Sequence, residues 1–512
     1  MTDIPQTSAH HCAPDKRKYV LITAILASAL GFIDGSIVSI AIPQIRQSLD
    51  ASFAQAQWVH NAYILFLAAF ILVGGAAGDR FGIRRTFGFG IGLFIAASQL
   101  CAVAWSPESL IVFRMLQGMG AAIMVPGSMS IIARNFPREE RGKALGIWVA
   151  ASSITTSMGP LLGGLLLSQA DGEIWRFIFA INLPLGGLAL ALLWWQVPND
   201  APRERKRLDL MGAVLVTLSL GAIAGGLTLY GEAGGGLGSL VIFGTGLVLL
   251  VFALLWEWRT PHAMIDLALF TERTFWGGNV FTFLVWMGLG TLFFYLPMTV
   301  VVGWQMSEFY AGLMFLPFSA VIATLSPIVG RYVDKLGPRP FLIAGGIFSV
   351  IGYASMSRAV WVQDYWYGVL PSQFLIGISL GLAGSTVAVA VLSAVPDDKS
   401  GVASGINNMV ARMSGLIGVA ALGILVAAVY VASVMESGLP ADIAAMVAQA
   451  GFGERLTGGL YQISTQTAQT LGMNAAVATL CATLSVLSFV GVVVAWFTIA
   501  PVAKNQAADA LN

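Results

Sequence analysis

A chain of 512 residues that is 57% hydrophobic and only 10% charged is not a soluble globular protein, for which about 25% charge is usual. Its formal net charge of +1 gives no basic surface for a nucleic acid. Its three cysteines, Cys12, Cys101 and Cys481, are odd in number and scattered, and offer neither a disulfide framework nor a metal site.

Residues 1–18 read as a polar cytoplasmic tail, and His10, His11 and Cys12 are better explained by a floppy tail than by a metal. Lys16, Arg17 and Lys18 precede an apolar run containing Ala27-Ser28-Ala29, which mimics a cleavable signal. The run continues to Pro43, so it reads as a spanning helix. From there apolar runs of roughly 20 residues alternate with loops marked by Gly, Pro or charge. That length matches a bilayer core of ~30 Å at ~1.5 Å rise per residue. The predicted spans are 19–42, 54–77, 86–105, 109–133, 143–168, 175–197, 209–230, 238–258, 275–301, 309–330, 340–358, 365–395, 403–433 and 473–500, fourteen helices in all. With the first residue inside, the cytoplasmic segments hold roughly 21 Lys and Arg. The outer segments hold four: Arg46, Arg176, Arg358 and Arg455. This asymmetry predicts an inner-membrane protein with both termini in the cytoplasm.

After span 2, Gly75, Asp79, Arg80, Gly82 and Arg84 spell G-x3-D-[RK]-x-G-x-R. After span 10, Gly330, Asp334, Lys335, Gly337 and Arg339 spell it again, 255 residues later from Asp79 to Asp334. A repeated hairpin implies two related membrane halves. A six-plus-six repeat would put the second copy after span 8, so two helices are inserted. Spans 7 and 8 fit that role: they follow the basic linker Pro198 to Arg207, and their only intramembrane polarity is Thr217, Ser219 and Thr228, which suits lipid. The expected fold is therefore all-α and integral to the membrane. It comprises a tail (1–18), an N-terminal six-helix bundle (19–200), a linker with two inserted helices (201–270), a C-terminal six-helix bundle (271–502) and a second tail (503–512). The long outer connection 434–472 leaves open a gate, a contact for a partner such as a periplasmic adaptor, or a loose loop. Its weak amphipathicity and its Ser/Thr/Gln stretch at 462–470 favour the loose loop.

Asp34 is the acidic residue set deep in a span. A carboxylate there costs about 2.5–3.5 kcal/mol on insertion scales, and burial disfavours its charged form. It reads as a proton or cation site, or as an acid paired with a neighbouring helix. Gly35 and Pro43 loosen its helix. Arg114, in span 4, needs an interior partner: backbone carbonyls, Gln117 on the same face, or Asp34. It either assists the chemistry or fastens helices. In span 13, Arg412 shares a helix face with Asn408, beside Asn407. Span 5 ends in Gly159-Pro160-Leu-Leu-Gly163-Gly164, a kink joined to a small-residue surface for close helix approach. Trp58, Tyr63, Trp148, Trp286 and Tyr295 are aromatic candidates for a chamber wall, although packing accounts for each singly. No Walker loop, zinc helix or nucleophile–base pair is present, so no cofactor is expected and any pumping must draw on an ion gradient.

With these residues in view, the chain resembles the major facilitator superfamily, and more narrowly its fourteen-helix drug:proton antiporter branch, over residues 19–500. The paired hairpins match the superfamily's loop signature. Asp34 to Pro43 is similar to the branch's first-helix motif, with Ser39 where Asn is usual. Arg114 to Gly120 is similar to its fourth-helix motif. Gly146 with Gly159 to Gly164 is similar to the antiporter motif, with Thr155 where Gly is usual. Trp175 to Gly186 and Gly405 to Gly418 resemble this branch in particular. The resemblance implies two six-helix bundles plus two inserted helices, proton exchange at Asp34 assisted by Arg114, an outer closure shaped by the span-5 motif, and an inner latch at Asp79. It implies a monomer that exports small amphipathic or cationic organic compounds. Some members that export divalent cations carry acids in span 13, where this chain has Asn407, Asn408 and Arg412, so dications are not expected substrates. The competing readings on the same scaffold are a proton-coupled uptake carrier or uniporter for a metabolite and a non-transporting membrane receptor or subunit.

Overall fold

The computed structural model describes residues 12–169, 172–199, 208–232, 235–261, 263–396, 399–454 and 462–501. Most of the N-terminal tail with His10 and His11, nearly all of the C-terminal tail, most of the basic linker, part of the outer loop and the side chain of Asp334 lie outside the described residues. Among the described residues the secondary structure is helical, with no strand. The α-helices are α1 (Pro14–Leu49), α2 (Phe53–Phe81), α3 (Ile83–Ala102), α4 (Pro107–Asn135), α5 (Arg138–Leu167), α6 (Phe177–Ala180), α7 (Asn182–Gln196), α8 (Leu210–Glu232), α9 (Leu237–Arg259), α10 (Arg273–Met298), α11 (Glu308–Leu313), α12 (Phe315–Leu336), α13 (Pro338–Trp361), α14 (Leu370–Ser393), α15 (Ser400–Met435), α16 (Ala441–Ala450) and α17 (Gln462–Thr498). Thirteen helical stretches are long and apolar enough to cross a bilayer. The 30-residue α5, apolar over Ile154–Leu167, makes the fourteenth in chain order.

Local chemistry sets the boundaries. Ser52 and Gln55 form a reciprocal capping box that starts α2, and Ser106 and Ser109 do the same for α4 with Pro107 in the first turn. Gly82 (φ 90°) and Gly337 (φ 76°) break α2 from α3 and α12 from α13 in a backbone region that favours glycine. Thus the two copies of the hairpin motif end their helices by the same device. They also share a clamp. The Arg84 guanidinium donates to the Trp194 carbonyl at 2.5 Å and sits 5.1 Å from that ring's centre. Arg339 donates to the Trp496 carbonyl at 2.7 Å and sits 5.0 Å from that ring's centre. Trp194 and Trp496 lie on the last membrane helix of their respective halves.

The N-terminal core gathers Tyr63, Phe87, Phe94, Trp148 and Leu193 between α1–α5 and α7. A larger cluster fills the C-terminal half and reaches α1 and α2 at the outer end. Of the inserted helices, α8 packs on α2 and α15 as well as on α9, and so touches both halves. Along α9, Leu240, Val241, Val248, Val251 and Phe252 remain exposed, as a lipid-facing helix requires.

The halves meet at their outer ends. A Cβ added to Gly164 would overlap the Glu308 carbonyl oxygen, and one added to Gly312 would overlap the Pro160 carbonyl oxygen. Thus α5 and α11 touch backbone to backbone. Gln44 donates to Glu308 Oε1 at 3.3 Å, and Gln57 donates to the Tyr295 hydroxyl at 2.8 Å. Toward the inner end, Leu72 of α2 lies against Gly405 of α15. The ion pairs Asp79–Arg134 and Arg17–Glu140 stay within the first half, and Asp266–Lys399 stays within the linker and second half.

The outer connection corrects the expectation of a loose loop. The Ser/Thr/Gln stretch is the first part of α17, which begins at Gln462 rather than near 473. Helix α16 packs on α15 and α17 and buries Ala444 and Val447, while the Tyr430 hydroxyl donates to the Val447 carbonyl. Phe452 is 2% exposed among Phe53, Tyr295 and Tyr430, with ring centres 6.0, 5.6 and 5.9 Å away. A buried aromatic anchor outweighs the weak amphipathicity that argued for a loop.

Candidate functional site

Asp34 is 0% exposed and Arg114 is 1% exposed. They form an ion pair from Arg114 Nη1 to Asp34 Oδ2. The kinkable α1 and the interior face of α4 bring them together, and buried charges persist only when paired and hydrogen-bonded. The remaining valences are filled. Gln117 Nε2 donates to Asp34 Oδ1 at 2.8 Å, and Asn182 Nδ2 points at the same oxygen from α7 at 3.5 Å. Arg114 Nη1 also donates to Gln117 Oε1 at 2.6 Å, and Nε donates to the Val59 carbonyl at 3.1 Å. The guanidinium lies 4.3 Å from the centre of the Tyr63 ring. Ser98 on α3 receives hydrogen bonds from Gln117 and Asn182 and donates to the Phe179 carbonyl. Five helices, α1 to α4 and α7, thus converge on one carboxylate.

All three partners that the sequence offered Arg114 are present: carbonyl, Gln117 and Asp34. Ser98 was missed, and Asn182 was read only as part of a motif, because neither type is conspicuous in an apolar helix. Also missed were His60 and Asn61 on α2. His60 is 4% exposed with Nε2 unpartnered, its ring 5.4 Å from Phe294. Asn61 is 0% exposed with both amide atoms unpartnered. Orphaned buried polar atoms are uncommon enough to mark a functional surface.

The other singled-out residues fall elsewhere. Trp58 packs on Gly225 of inserted helix α8. Trp148 donates to Ser28 at 2.9 Å between α5 and α1. Trp286 is half-buried against the large outer core. Tyr295 joins the halves, accepting from Gln57 and donating to the Val419 carbonyl at 3.0 Å. Asn407 is tied to Asn279 and Thr282 within the second half. Asn408 is exposed although mid-helix, and Arg412 comes near enough to Tyr63 for charge interaction across the interface. In the span-5 motif, Gly159 abuts Ser36 and Ile33 of α1, Gly163 abuts Ile37, and Gly164 abuts α11. Gly75 and Gly330 have open space around them. Among the described residues no three His, Cys, Asp or Glu side chains gather to hold a metal.

Comparison with known proteins adds the family. The Major Facilitator Superfamily profile matches residues 24–419. The multidrug resistance protein Stp of Mycobacterium tuberculosis is 32% identical over 427 residues, 80% of this chain and 76% of that one. The tetracenomycin C resistance and export protein of Streptomyces glaucescens is 31% identical over 414 residues, 79% of this chain and 75% of that one. The bacterial homologue of the human lysosomal transporter Spinster, solved inward-facing and unoccupied, superposes with a TM-score of 0.64 at 17% identity over 96% of this chain and all of that one. The inward-open xylose transporter XylE of Escherichia coli gives 0.59 at 14% identity over 96% and 99%. With the fourteen membrane helices and the repeated hairpin, these matches show that the chain belongs to the Major Facilitator Superfamily, as a multi-pass membrane transporter and not an enzyme.

Proposed function

We propose that the protein is a proton-coupled antiporter that exports small amphipathic or cationic organic compounds by alternating access, with both termini in the cytoplasm of an inner membrane. The Asp34–Arg114 pair, sealed from solvent inside the first half, carries this reading. An intramembrane acid and base with a filled set of donors is expensive to maintain and belongs to a coupling device. The names of the relatives support export as the direction. Closure at the outer ends and the exposed Asn408 in mid-span support a chamber that opens inward. A proton arriving at Asp34 would neutralise the carboxylate and release Arg114 from the ion pair. The freed guanidinium would then sit opposite Arg412, and like charges across the interface favour separation of the halves. Proton loss to the cytoplasm would restore the pair.

The energetics are adequate. One charge crossing 100 mV is worth ~2.3 kcal/mol, and each tenfold gradient requires ~1.4 kcal/mol. One proton therefore supports about a fifty-fold gradient of a neutral solute. A monovalent cation exchanged one-for-one moves no net charge and depends on the pH difference alone.

Asp34→Asn keeps the shape of the side chain and its bonds to Gln117 while removing the titrating group. In proteoliposomes the variant is expected to insert normally and to lose substrate-induced proton release. Proton release equal to that of the wild type would end the assignment. The substrate panel for the assay comes from growth of a pump-deficient host, with and without the gene, on toxic dyes, biocides and antibiotics.

A further inference from the structure

A second pair of acids lies at the inner end of the inserted helices. Glu257, one turn from the end of α9, is 3% exposed. Its Oε2 accepts the Ile265 N–H at 2.9 Å. Asp209, just before α8, uses Oδ1 to accept the Gly212 N–H at 2.8 Å and the Trp256 indole N–H at 3.0 Å. The other oxygen of each, Asp209 Oδ2 and Glu257 Oε1, is buried with no hydrogen-bond partner. Both stand 2.6 Å from the point a Cβ on Gly212 would occupy, so they are at most twice that, 5.2 Å, apart. Glycine at 212 is what lets the two carboxyl groups face each other.

Two ionised carboxylates at that separation, out of water, repel, and nothing among the described residues offsets them. Arg259 on the same helix is exposed. Asp266 and Lys399 from the adjoining segment and α15 are bound to each other at 2.6 Å. On α2, Asp79 is paired with Arg134 and Arg80 lies over the Phe81 ring. Arg203, Arg205, Lys206, Arg207 and His262 lie outside the described residues. A metal ion would need more donors than two acids supply, and no third His, Cys, Asp or Glu joins them among the described residues. A single proton satisfies both orphaned oxygens at once, converting repulsion into an O–H···O⁻ hydrogen bond. We propose that Asp209 and Glu257 form a second proton-binding site, distinct from Asp34, in which one proton is held between Asp209 Oδ2 and Glu257 Oε1.

The site has a mechanical connection. Ile265, whose N–H is held by Glu257, shares an apolar cluster with Ala68 and Ile71 of α2 and Ile406 and Met409 of α15. The proton therefore fastens a segment wedged between the inner ends of the two halves. Loss of that proton would push α8 and this segment apart. The site stands whether or not Asp34 couples protons to export.

The test is unfolding of the purified full-length protein in detergent, followed from acid to alkaline pH, for the wild type and Glu257→Gln. A shared proton is bound more tightly in the folded state than in the unfolded chain. Its contribution is complete below the usual carboxyl range and disappears as pH rises through the pair's own titration. Glu257→Gln removes the second charge and keeps a donor toward Asp209, so the alkaline decline seen in the wild type is expected to vanish. Infrared spectra at neutral pH are expected to show a protonated-carboxyl band in the wild type that the variant lacks. Asp209→Asn gives the same results by the other route and carries the test if Glu257→Gln does not fold. Equal alkaline decline in wild type and variants, or an unchanged infrared band, overturns the proposal. So does stabilisation of the wild type alone by added Ca²⁺ or K⁺, which would make the ligand a metal cation.

Discussion

Two glycines, Gly164 and Gly312, let the backbones of α5 and α11 touch, because neither can carry a Cβ without striking the opposite carbonyl oxygen. Adding one methyl group to a packed contact of this kind costs about 1–3 kcal/mol. Here the strain is relieved by parting the halves at their outer ends. Gly164→Ala is therefore expected to favour an outward-open state, to retain substrate binding and to lose most export. The readout is labelling of a cysteine placed at Gln44, which is 2% exposed, by a membrane-impermeant maleimide. Several-fold faster labelling is expected, and an unchanged rate would mean that the contact does not hold the closure. The same scale shows what composition hides. Asp34 and Arg114 stand out in the sequence because charge inside a span is costly. Ser98, Asn182 and Asn61 do not, because a hydroxyl or amide within an apolar helix is ordinary until its neighbours are known.

At the scale of helices and hairpins, the repeated motif is legible because glycine at 82 and 337 answers a backbone requirement visible in spacing alone. Its partners are not. Arg84 finds Trp194 and Arg339 finds Trp496 more than a hundred residues downstream, and only packing brings each last helix back to its hairpin. Length and apolarity placed the fourteen spans well, since both follow from bilayer thickness. They failed at α17, where polar Ser, Thr and Gln residues extend the helix above the membrane and bond to the Val302 and Gly303 carbonyls. If the two clamps are mechanical equivalents, Arg84→Ala and Arg339→Ala should each destabilise by about 1–2 kcal/mol, as expected for a hydrogen bond from a charged group that is partly exposed. Their effects should add, because they sit in different halves. Denaturant unfolding of both single variants and the double variant measures this. A strongly non-additive double variant would show that the halves do not unfold as separate units.

The whole molecule rocks only if its outer seal can break, and the seal is held by few groups. Arg46, at the outer end of α1 and 4% exposed, pairs with Glu454 at 2.5 Å and donates to the Phe452 carbonyl at 2.8 Å. Both partners belong to the turn after α16, in the second half. The turn in turn seats the Phe452 ring against Tyr295, whose hydroxyl bridges to Gln57 of the first half. One cation thus ties the end of α1 to the segment that plugs the outer mouth. Glu454 is about a third exposed, so water screens part of the attraction, while the bond to the Phe452 carbonyl is better protected. Together they are worth about 1–3 kcal/mol. That is a large fraction of what separates two conformers that must interconvert in each cycle. Arg46→Ala is therefore expected to move the population toward outward-open by about 5–150-fold, visible as a longer outer-end distance between spin labels on α1 and α16. Glu454→Gln, which leaves the carbonyl bond intact, is expected to give a smaller shift in the same direction. An Arg46→Ala population indistinguishable from wild type would place the seal in the α5–α11 contact alone and leave the outer turn without a part in gating.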